Sequence, residues 1–241
     1  MKITFLGTAA SIPTPTRGLP AILFDEDLLV DCGEGTSQKL LMTDSLENIK
    51  QVVITHSHLD HSAGIGSLIW SMWLHGREEN LLVSGPPYIE DFIMSLLNLV
   101  KTPLKQLTFK IEYVATLKNI EFALTEHHPE TYALKIERNG VSVCYSSDTA
   151  PCPSVIHLAR DCDVLIHEAT FPEEEAKLAH ALRHSTPRDA GLTASQAKVK
   201  KLVLFHWSWH MEGKEKSLIR QAEQYFDGEV ILAYDMQSLS L

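Results

Sequence analysis

Short apolar runs alternate with longer amphipathic stretches in the first half of the chain, a pattern that predicts strands and helices in turn. The predicted strands cover residues 2–6, 21–24, 28–31, 52–55 and 81–84. The predicted helices cover residues 35–42, 63–74 and 87–105. Strands that alternate with helices are typical of α/β sheets, so this half of the chain indicates the α/β class.

The second half begins with successive apolar runs that have no helical pattern between them. They predict strands at residues 107–114, 120–125, 132–137 and 141–145, the last two joined by the turn Arg138-Asn139-Gly140. We expect these strands to form a second sheet. Further strands are predicted at residues 164–166, 202–205 and 230–233, and helices at 153–160, 172–182, 187–198 and 214–226.

Composition bears on domain organisation and location. With 241 residues, 44% of them hydrophobic, and no repeat or linker, we expect a single domain over residues 1–241. No apolar stretch is long enough to span a membrane and the first residues do not resemble a secretory signal, so we expect a cytoplasmic protein with no membrane partner. The four cysteines lack paired metal-binding spacing and are expected to be reduced.

The stretch 51–61 carries the densest chemistry in the chain. After the β-branched run at 52–55 come His56, His58, Asp60 and His61. In extended backbone, side chains at i and i+2 share a face, so His56 and His58 can bind one ion. Three histidines and an aspartate this close together would be costly to bury without a ligand, which favours a metal site over a structural role.

Other strands also end in residues that can bind metals. A pair of divalent ions needs about seven protein ligands, one of them a bridging carboxylate. We assign His56, His58 and His127 to one ion, Asp60, His61 and His206 to the other, and Asp148 as the bridge. Spacing alone leaves His128 as an alternative to His127, and Asp148 could instead cap the following helix. Imidazole and carboxylate donors favour two Zn²⁺ per chain, with Mn²⁺ or iron as alternatives.

Two further groups are candidates for acid–base chemistry. His184 precedes Ser185-Thr186, and Glu168 follows the predicted strand 164–166. A histidine held by a carboxylate makes a sound general acid, because the partner fixes its tautomer. The alternative is that Ser185 or Thr186 caps the helix that starts at Pro187 and that His184 has no role in the chemistry.

The segment Thr-His-Ser-His-Leu-Asp-His at 55–61 resembles the signature of the metallo-β-lactamase superfamily. More specific stretches resemble ribonuclease Z, the zinc phosphodiesterase that trims the 3′ end of precursor transfer RNA. They are Leu6-Gly7-Thr8, Asp31-Cys32-Gly33-Glu34-Gly35-Thr36, His167-Glu168-Ala169-Thr170-Phe171, His184-Ser185-Thr186 and Leu204-Phe205-His206. The resemblance implies an αβ/βα four-layer sandwich, with two mixed β-sheets flanked by helices.

The resemblance also implies roles for individual residues. The same seven positions become the metal ligands, with His127 favoured over His128. His184 becomes the general acid, Glu168 its orienting partner, and Asp60 the metal-bound base that helps generate the hydroxide that attacks phosphorus. The implied substrate is precursor transfer RNA.

The chain departs from the family pattern in ways that bear on its substrate. The arm that grips transfer RNA is commonly inserted between the third ligand histidine and the bridging aspartate, but His127 and Asp148 are only 21 positions apart. Leu59 replaces a usual glycine, and Ser208-Trp209-His210 stands where an arginine is expected. The formal charge of −10 argues against a broad basic RNA-binding surface.

Alternative functions therefore remain beside RNA processing. They are hydrolysis of a small (cyclic) phosphodiester, a lactone or a thioester, and a non-catalytic metal-binding role. For an RNA substrate, a partner subunit or the helical segment 87–105, with its Lys101 and Lys105, could replace the arm. The sequence leaves open whether the chain forms a homodimer.

Overall fold

The computed structural model describes residues 1–241 and divides them into two compact units, each built from non-contiguous segments. Unit 1 comprises Met1–Gly7, Pro15–Leu117 and Asp235–Leu241, and unit 2 comprises Thr8–Thr14 and Lys118–Tyr234. The expectation of a single domain over residues 1–241 stays a prediction.

Unit 1 contains a mixed sheet of seven strands in the order β13-β1-β2-β3-β4-β5-β6. Pairing is antiparallel from β13 to β3 and parallel from β3 to β6. The strands are β1 Lys2–Gly7, β2 Ala21–Phe24, β3 Leu28–Val30, β4 Gln51–Val53, β5 Leu81–Ser84, β6 Ile111–Tyr113 and β13 Ser238–Ser240. The residues near the end of the chain, where no strand is predicted, thus form an edge strand.

Four helices connect or flank these strands: α1 Thr36–Met42, α2 Leu59–Ser62, α3 Ile65–Leu74 and α4 Ile89–Leu99. Their apolar faces pack on the sheet in one buried cluster, which includes Leu40 from α1, Leu68 from α3 and Ile93 from α4. The 3.6-residue spacing of those apolar positions explains why the helices form here. Parallel pairing of β3 to β6 requires such crossover connections, and the helices supply them.

The strand predicted at residues 107–114 is shorter than predicted and lies in the other sheet. It covers only Ile111–Tyr113 and pairs in parallel with β5 in unit 1, so the prediction that it opens the second sheet is wrong. The helix α4 returns the chain to the side of β5, as in a βαβ unit, and this decides which sheet the strand joins.

Unit 2 contains a mixed sheet of six strands in the order β12-β11-β10-β9-β8-β7. Pairing is parallel from β12 to β9 and antiparallel from β9 to β7. The strands are β7 Ile120–Leu124, β8 Tyr132–Arg138, β9 Val141–Tyr145, β10 Val164–Glu168, β11 Lys201–Phe205 and β12 Glu229–Leu232. The two-residue turn Asn139-Gly140 joins β8 to β9, with both residues at positive φ, as such hairpins require.

The helices of unit 2 are α5 Pro153–Leu158, α6 Ala176–Ala181, α7 Pro187–Ala197 and α8 Glu215–Glu223. Alanines of α7 and the buried Leu218 of α8 pack with β10 and β11 in a second apolar cluster. Close packing is required where α7 meets α8, because a Cβ at Gly191 would lie 2.5 Å from the carbonyl oxygen of Ala222.

The predicted class is confirmed: the fold is α/β, with two mixed sheets flanked by helices. No helix combines the length and apolar character needed to cross a membrane. All four cysteines are free thiols, and burial raises the pKa of Cys32 to about 12. A thiol with so high a pKa is a poor metal ligand, in agreement with the donor set assigned from the sequence.

Candidate metal centre

The four candidate ligands of the 51–61 stretch lie together in unit 1. The ring of His56 is 4.7 Å from that of His58 and 4.3 Å from that of His61, centroid to centroid. The carboxylate of Asp60 lies 3.6 Å from Nε2 of His61. The strand β4 ends at Val53, and α2 starts at Leu59, so the ligands come from the connecting loop and the first turn of that short helix.

A buried carboxylate that sequence reasoning did not select orients these histidines. Asp31 follows β3 in the left-handed region, at φ 60°, and its Oδ2 accepts a hydrogen bond of 2.7 Å from Nδ1 of His61. It also accepts from the backbone N–H and the hydroxyl of Thr55, at 2.8 and 3.1 Å. The hydroxyl of Thr55 in turn lies 3.1 Å from Nδ1 of His56. One carboxylate therefore fixes both rings.

Two glycines allow the backbone after β3 to approach the motif. A Cβ on Gly33 would collide with the backbone oxygen of Asp60, and one on Gly64 would collide with that of Gly33. Cys32 adds two backbone hydrogen bonds to this contact. Its N–H donates to the carbonyl of His61, and its carbonyl accepts from the N–H of Gly64. The strand end that carries Asp31 is thus held against α2.

In unit 2, the residues predicted from separate strand ends also come together. Nε2 of His127 lies 3.8 Å from Oδ2 of Asp148, and Nδ1 of His206 lies 3.5 Å from Oδ1. Ligand atoms of Asp148, His184 and His206 all lie within 4.8 Å of one another. His127 is buried here, whereas His128 is exposed. Asp148 is buried and does not serve as the cap of α5, whose N-cap residue is Cys152.

The donor chemistry of both units fits divalent ions. The Nδ1 atoms of His56, His61, His127 and His206 each lie within 3.1 Å of an oxygen partner. With Nδ1 occupied in this way, Nε2 is the nitrogen left to bind an ion, which is the arrangement typical of metal-binding histidines. Burial lowers the pKa of His127, against the opposing charge of Asp148, and so favours the neutral ring that a metal requires.

Glu168 is a buried carboxylate of unit 2 with four hydrogen-bond partners. Its Oε1 accepts from the N–H of Thr149 at 2.7 Å and lies 3.0 Å from Nδ1 of His184. Its Oε2 accepts from the hydroxyl of Thr170 at 2.6 Å and from the N–H of Ser185 at 3.0 Å. Complete burial raises the pKa of Glu168, but the charge and hydrogen bond of His184 outweigh it and the net pKa is lowered. Glu168 is therefore an anion that stabilises protonated His184.

Thr170 is a second residue that sequence reasoning missed. Its hydroxyl donates to Glu168 and accepts from Nδ1 of His206, which is 2.9 Å away. A buried carboxylate and a threonine therefore orient two histidines in unit 2, as Asp31 and Thr55 do in unit 1. The sequence signal was present, since Thr170 lies two positions after Glu168, but threonine is too common for that spacing to be diagnostic.

The helix-cap alternative for 184–186 holds only in part. Thr186 is the N-cap of α7 and forms a capping box with Asp189. His184 is nevertheless not incidental, because it contacts Glu168 and its ring lies 4.9 Å from that of His127 and 6.0 Å from that of His206. Ser185 donates to the carbonyl of Thr149 and ties the segment to the loop that carries Asp148.

Comparison with known proteins identifies the class of protein to which the chain belongs. Residues 26–207 match the family described as “Beta-lactamase superfamily domain”. The fold is similar to the crystal structure of the metallo-β-lactamase fold protein YhfI from Bacillus subtilis, with a TM-score of 0.85, 25% identity and 99% and 98% of the two chains covered. Together with the histidine and carboxylate clusters, these matches define a metal-dependent hydrolase.

Sequence relatives narrow the assignment. Ribonuclease Z of Picrophilus torridus is 32% identical, with 86% of this chain and 85% of the relative covered. Ribonuclease Z of Bacillus subtilis is 30% identical, with 100% and 99% covered. The structure of human tRNase Z, short form, has a TM-score of 0.83 and 26% identity, with 100% and 99% covered. The chain therefore belongs to the ribonuclease Z family of this superfamily.

The Bacillus subtilis relative is longer than this chain. The alignment with the Bacillus subtilis relative spans 308 positions, whereas the chain has 241 residues. Between His127 and Asp148 the structure has only the tight hairpin of β8 and β9. The prediction that no arm is inserted at this position is therefore confirmed.

Proposed function

We propose that this chain is a zinc-dependent phosphodiesterase with a dinuclear site that cleaves RNA, with precursor transfer RNA as its first-choice substrate. The observation that carries the proposal is the pair His184–Glu168, with 3.0 Å between Nδ1 and Oε1, next to the candidate ligands Asp148 and His206. A site that only binds metal ions does not need this pair. A hydrolase that must protonate a poor leaving group does need it.

Seven residues would hold the two ions in this proposal. They are His56, His58 and His127 for one, Asp60, His61 and His206 for the other, and Asp148 between them. Support comes from the clustering of these residues within each unit and from the Nδ1 partners that leave Nε2 available. Two divalent ions, when bound, supply Lewis-acid activation of water and of the phosphoryl oxygens. Nitrogen and oxygen donors suit zinc, and also manganese or iron.

The proton transfers fall to residues of the chain. Asp60 lies on the first turn of α2 and would accept the proton of the attacking water. His184 would donate the proton of Nε2 to the leaving oxygen, because Glu168 holds Nδ1 and favours the imidazolium form. The ring of Phe171 lies beside that of His184, with 6.0 Å between the centroids. The hydrogen bond to Glu168 thus fixes the direction in which the general acid points.

RNA ranks first as the substrate because the relatives are named ribonuclease Z and tRNase Z. A small phosphodiester ranks second, and a specific observation favours it. The hairpin of β8 and β9 leaves no room for an RNA-gripping arm between His127 and Asp148. With a formal charge of −10, the chain has a weak general attraction for polyanions. Lactone and thioester hydrolysis rank lower, because a carbonyl substrate has less need of His184.

The test compares kcat/KM of the purified, zinc-loaded protein on a precursor transfer RNA with a 3′ trailer and on bis(p-nitrophenyl) phosphate. A thioester and a lactone serve as carbonyl substrates, and Asp148→Ala serves as the inactive control. We expect both phosphodiesters to be cleaved, with the RNA cut at the start of the trailer. If only the aryl diester is hydrolysed, the RNA-processing proposal fails. If only the carbonyl substrates react, the phosphodiesterase proposal fails as well.

A further inference from the structure

Arg183 occupies an unusual backbone position beside the candidate centre of unit 2. The helix α6 ends at Ala181, and Arg183 follows with φ 60°, in the left-handed region. Its N–H donates to the carbonyl of His180, and the N–H of His184 donates to that of Ala179. Glycine or asparagine is the residue favoured at such a helix end. A long cationic side chain is therefore not what the local backbone selects.

The contacts of Arg183 surround His127. The Arg183 backbone carbonyl accepts a hydrogen bond of 2.9 Å from Nδ1 of His127. The guanidinium donates from Nη1 to the carbonyl of the same histidine at 3.3 Å. It also lies 3.7 Å from the carboxylate of Glu126, and half of its side chain is exposed to solvent. The contact with the His127 ring uses only the backbone of Arg183, so any residue at position 183 could make it.

The guanidinium of Arg183 places a positive charge among acidic residues. Asp148 and Glu168 are buried carboxylates, and the chain as a whole carries a charge of −10. An RNA strand presents a phosphate on either side of the one that is cleaved, and each must enter this acidic surrounding. Arginine matches phosphate in charge and in the geometry of its paired donors. Nη1 is directed at a backbone carbonyl, and the exposed half of the side chain is accessible to a ligand.

We propose that Arg183 forms a second phosphate subsite, which binds the phosphate next to the scissile one. The inference rests on the proposed function and concerns how the same site binds a polynucleotide. The phosphate takes the place of Glu126, whose exposed carboxylate holds the guanidinium when no substrate is bound. Substrates with two neighbouring phosphates thereby gain affinity over substrates with one. The subsite partly replaces the RNA contacts that an inserted arm would provide.

The experiment measures binding of adenosine 3′,5′-bisphosphate by calorimetry to the zinc-loaded protein at low salt. This probe carries two phosphates on one nucleoside, and the 3′- and 5′-monophosphates are its one-phosphate controls. We expect the bisphosphate to bind about tenfold more tightly than either monophosphate, and Arg183→Gln to abolish that advantage. Glu126→Gln is expected to strengthen bisphosphate binding. Arg188, five positions further along the chain, is partly exposed and stacks on Tyr225, so Arg188→Gln is the matched control and should change nothing.

Arg183→Gly separates binding from a structural role. Glycine relieves the left-handed backbone strain and keeps the carbonyl that holds His127, so we expect a higher Tm together with the loss of bisphosphate affinity. A lower Tm with unchanged affinity would show that the side chain only supports the fold. The proposal is also overturned if the wild-type protein binds the bisphosphate no better than the monophosphates. Cleavage of precursor transfer RNA is measured separately, so failure of the RNA-processing function is distinguishable from failure of the subsite.

Discussion

Asp31 and His61 are 30 positions apart in the chain, yet 2.7 Å separates Oδ2 of the aspartate from Nδ1 of the histidine, and both side chains are buried. The same carboxylate binds Thr55, whose hydroxyl lies against His56. Unit 2 repeats the arrangement with Glu168, Thr170, His184 and His206. Each unit therefore orients its histidines before any ion binds.

We expect Asp31→Asn to weaken zinc binding by about 10- to 100-fold, the usual effect of removing an orienting partner. The amide is nearly isosteric, but one of its two polar atoms is an NH₂ group, which cannot accept from Nδ1 of His61. Competition with a chromogenic chelator measures the affinity. Asp91→Asn, an exposed change in the first turn of α4, is the control. Equal affinities in the two variants would exclude an orienting role for Asp31.

Asp148→Ala tests the bridging position. We expect close to two zinc equivalents in the wild-type protein and the loss of at least one in the variant, because the carboxylate is the shared ligand in the proposed site. The backbone carbonyl of residue 148, which accepts from Thr125, is retained in the variant. Elemental analysis after desalting gives the metal content, with the exposed Asp227→Ala as the control. Retention of both ions would contradict the bridging assignment.

His184→Ala tests the general acid. We expect metal content to stay unchanged and turnover of an alkyl or RNA phosphodiester to fall by about 10²- to 10⁴-fold. With p-nitrophenolate as leaving group the loss should shrink, because that group departs without a proton. The exposed His157→Ala is the control for histidine removal. An equal loss on both kinds of leaving group would argue for a role other than proton donation.

His167 gives the fold a predictable pH dependence. Burial within β10 lowers its pKa below the ordinary 6.5, although the carbonyl of Glu168 accepts from its Nδ1. As pH falls through about 6.5, the unfolded chain binds a proton at this residue and the folded chain does not, so the free energy of unfolding decreases. The slope from this residue is at most about 1.4 kcal/mol per pH unit.

His167→Asn should remove that slope, because the amide can donate to the same carbonyl but does not titrate. Urea unfolding at pH 7.5, 6.5 and 5.5 measures it for the wild-type and variant proteins. Both proteins contain His127, whose pKa is also lowered by burial, so only the difference between their slopes reports on His167. Parallel curves over this range would mean that His167 does not contribute.

The sequence predicted the candidate ligands that cluster directly after a strand, and it did not predict a role for the residues that act through distant contacts. His56, His58, Asp60 and His61 lie within six positions, and their density alone indicated metal binding. Asp31 and Thr170 lie in stretches that resemble the family, but they act through partners 30 and 36 positions away, so no role could be assigned to them from the sequence. The end of β4 was misplaced for the same reason, since the N–H of Thr55 bonds to Asp31 instead of continuing the strand.

The pairing of β13 with β1 has a consequence for synthesis. Thr4 and Ser238, whose hydroxyls are 2.8 Å apart, are separated by 234 positions. While the ribosome adds the intervening residues, β1 can pair with β2 on one side but has an exposed edge on the other, which is a site for association with other nascent chains. The strands β7 to β12, by contrast, pair in the order in which they are made. The sheet of unit 2 can therefore grow strand by strand, whereas β1 waits for its second partner until β13 has been made.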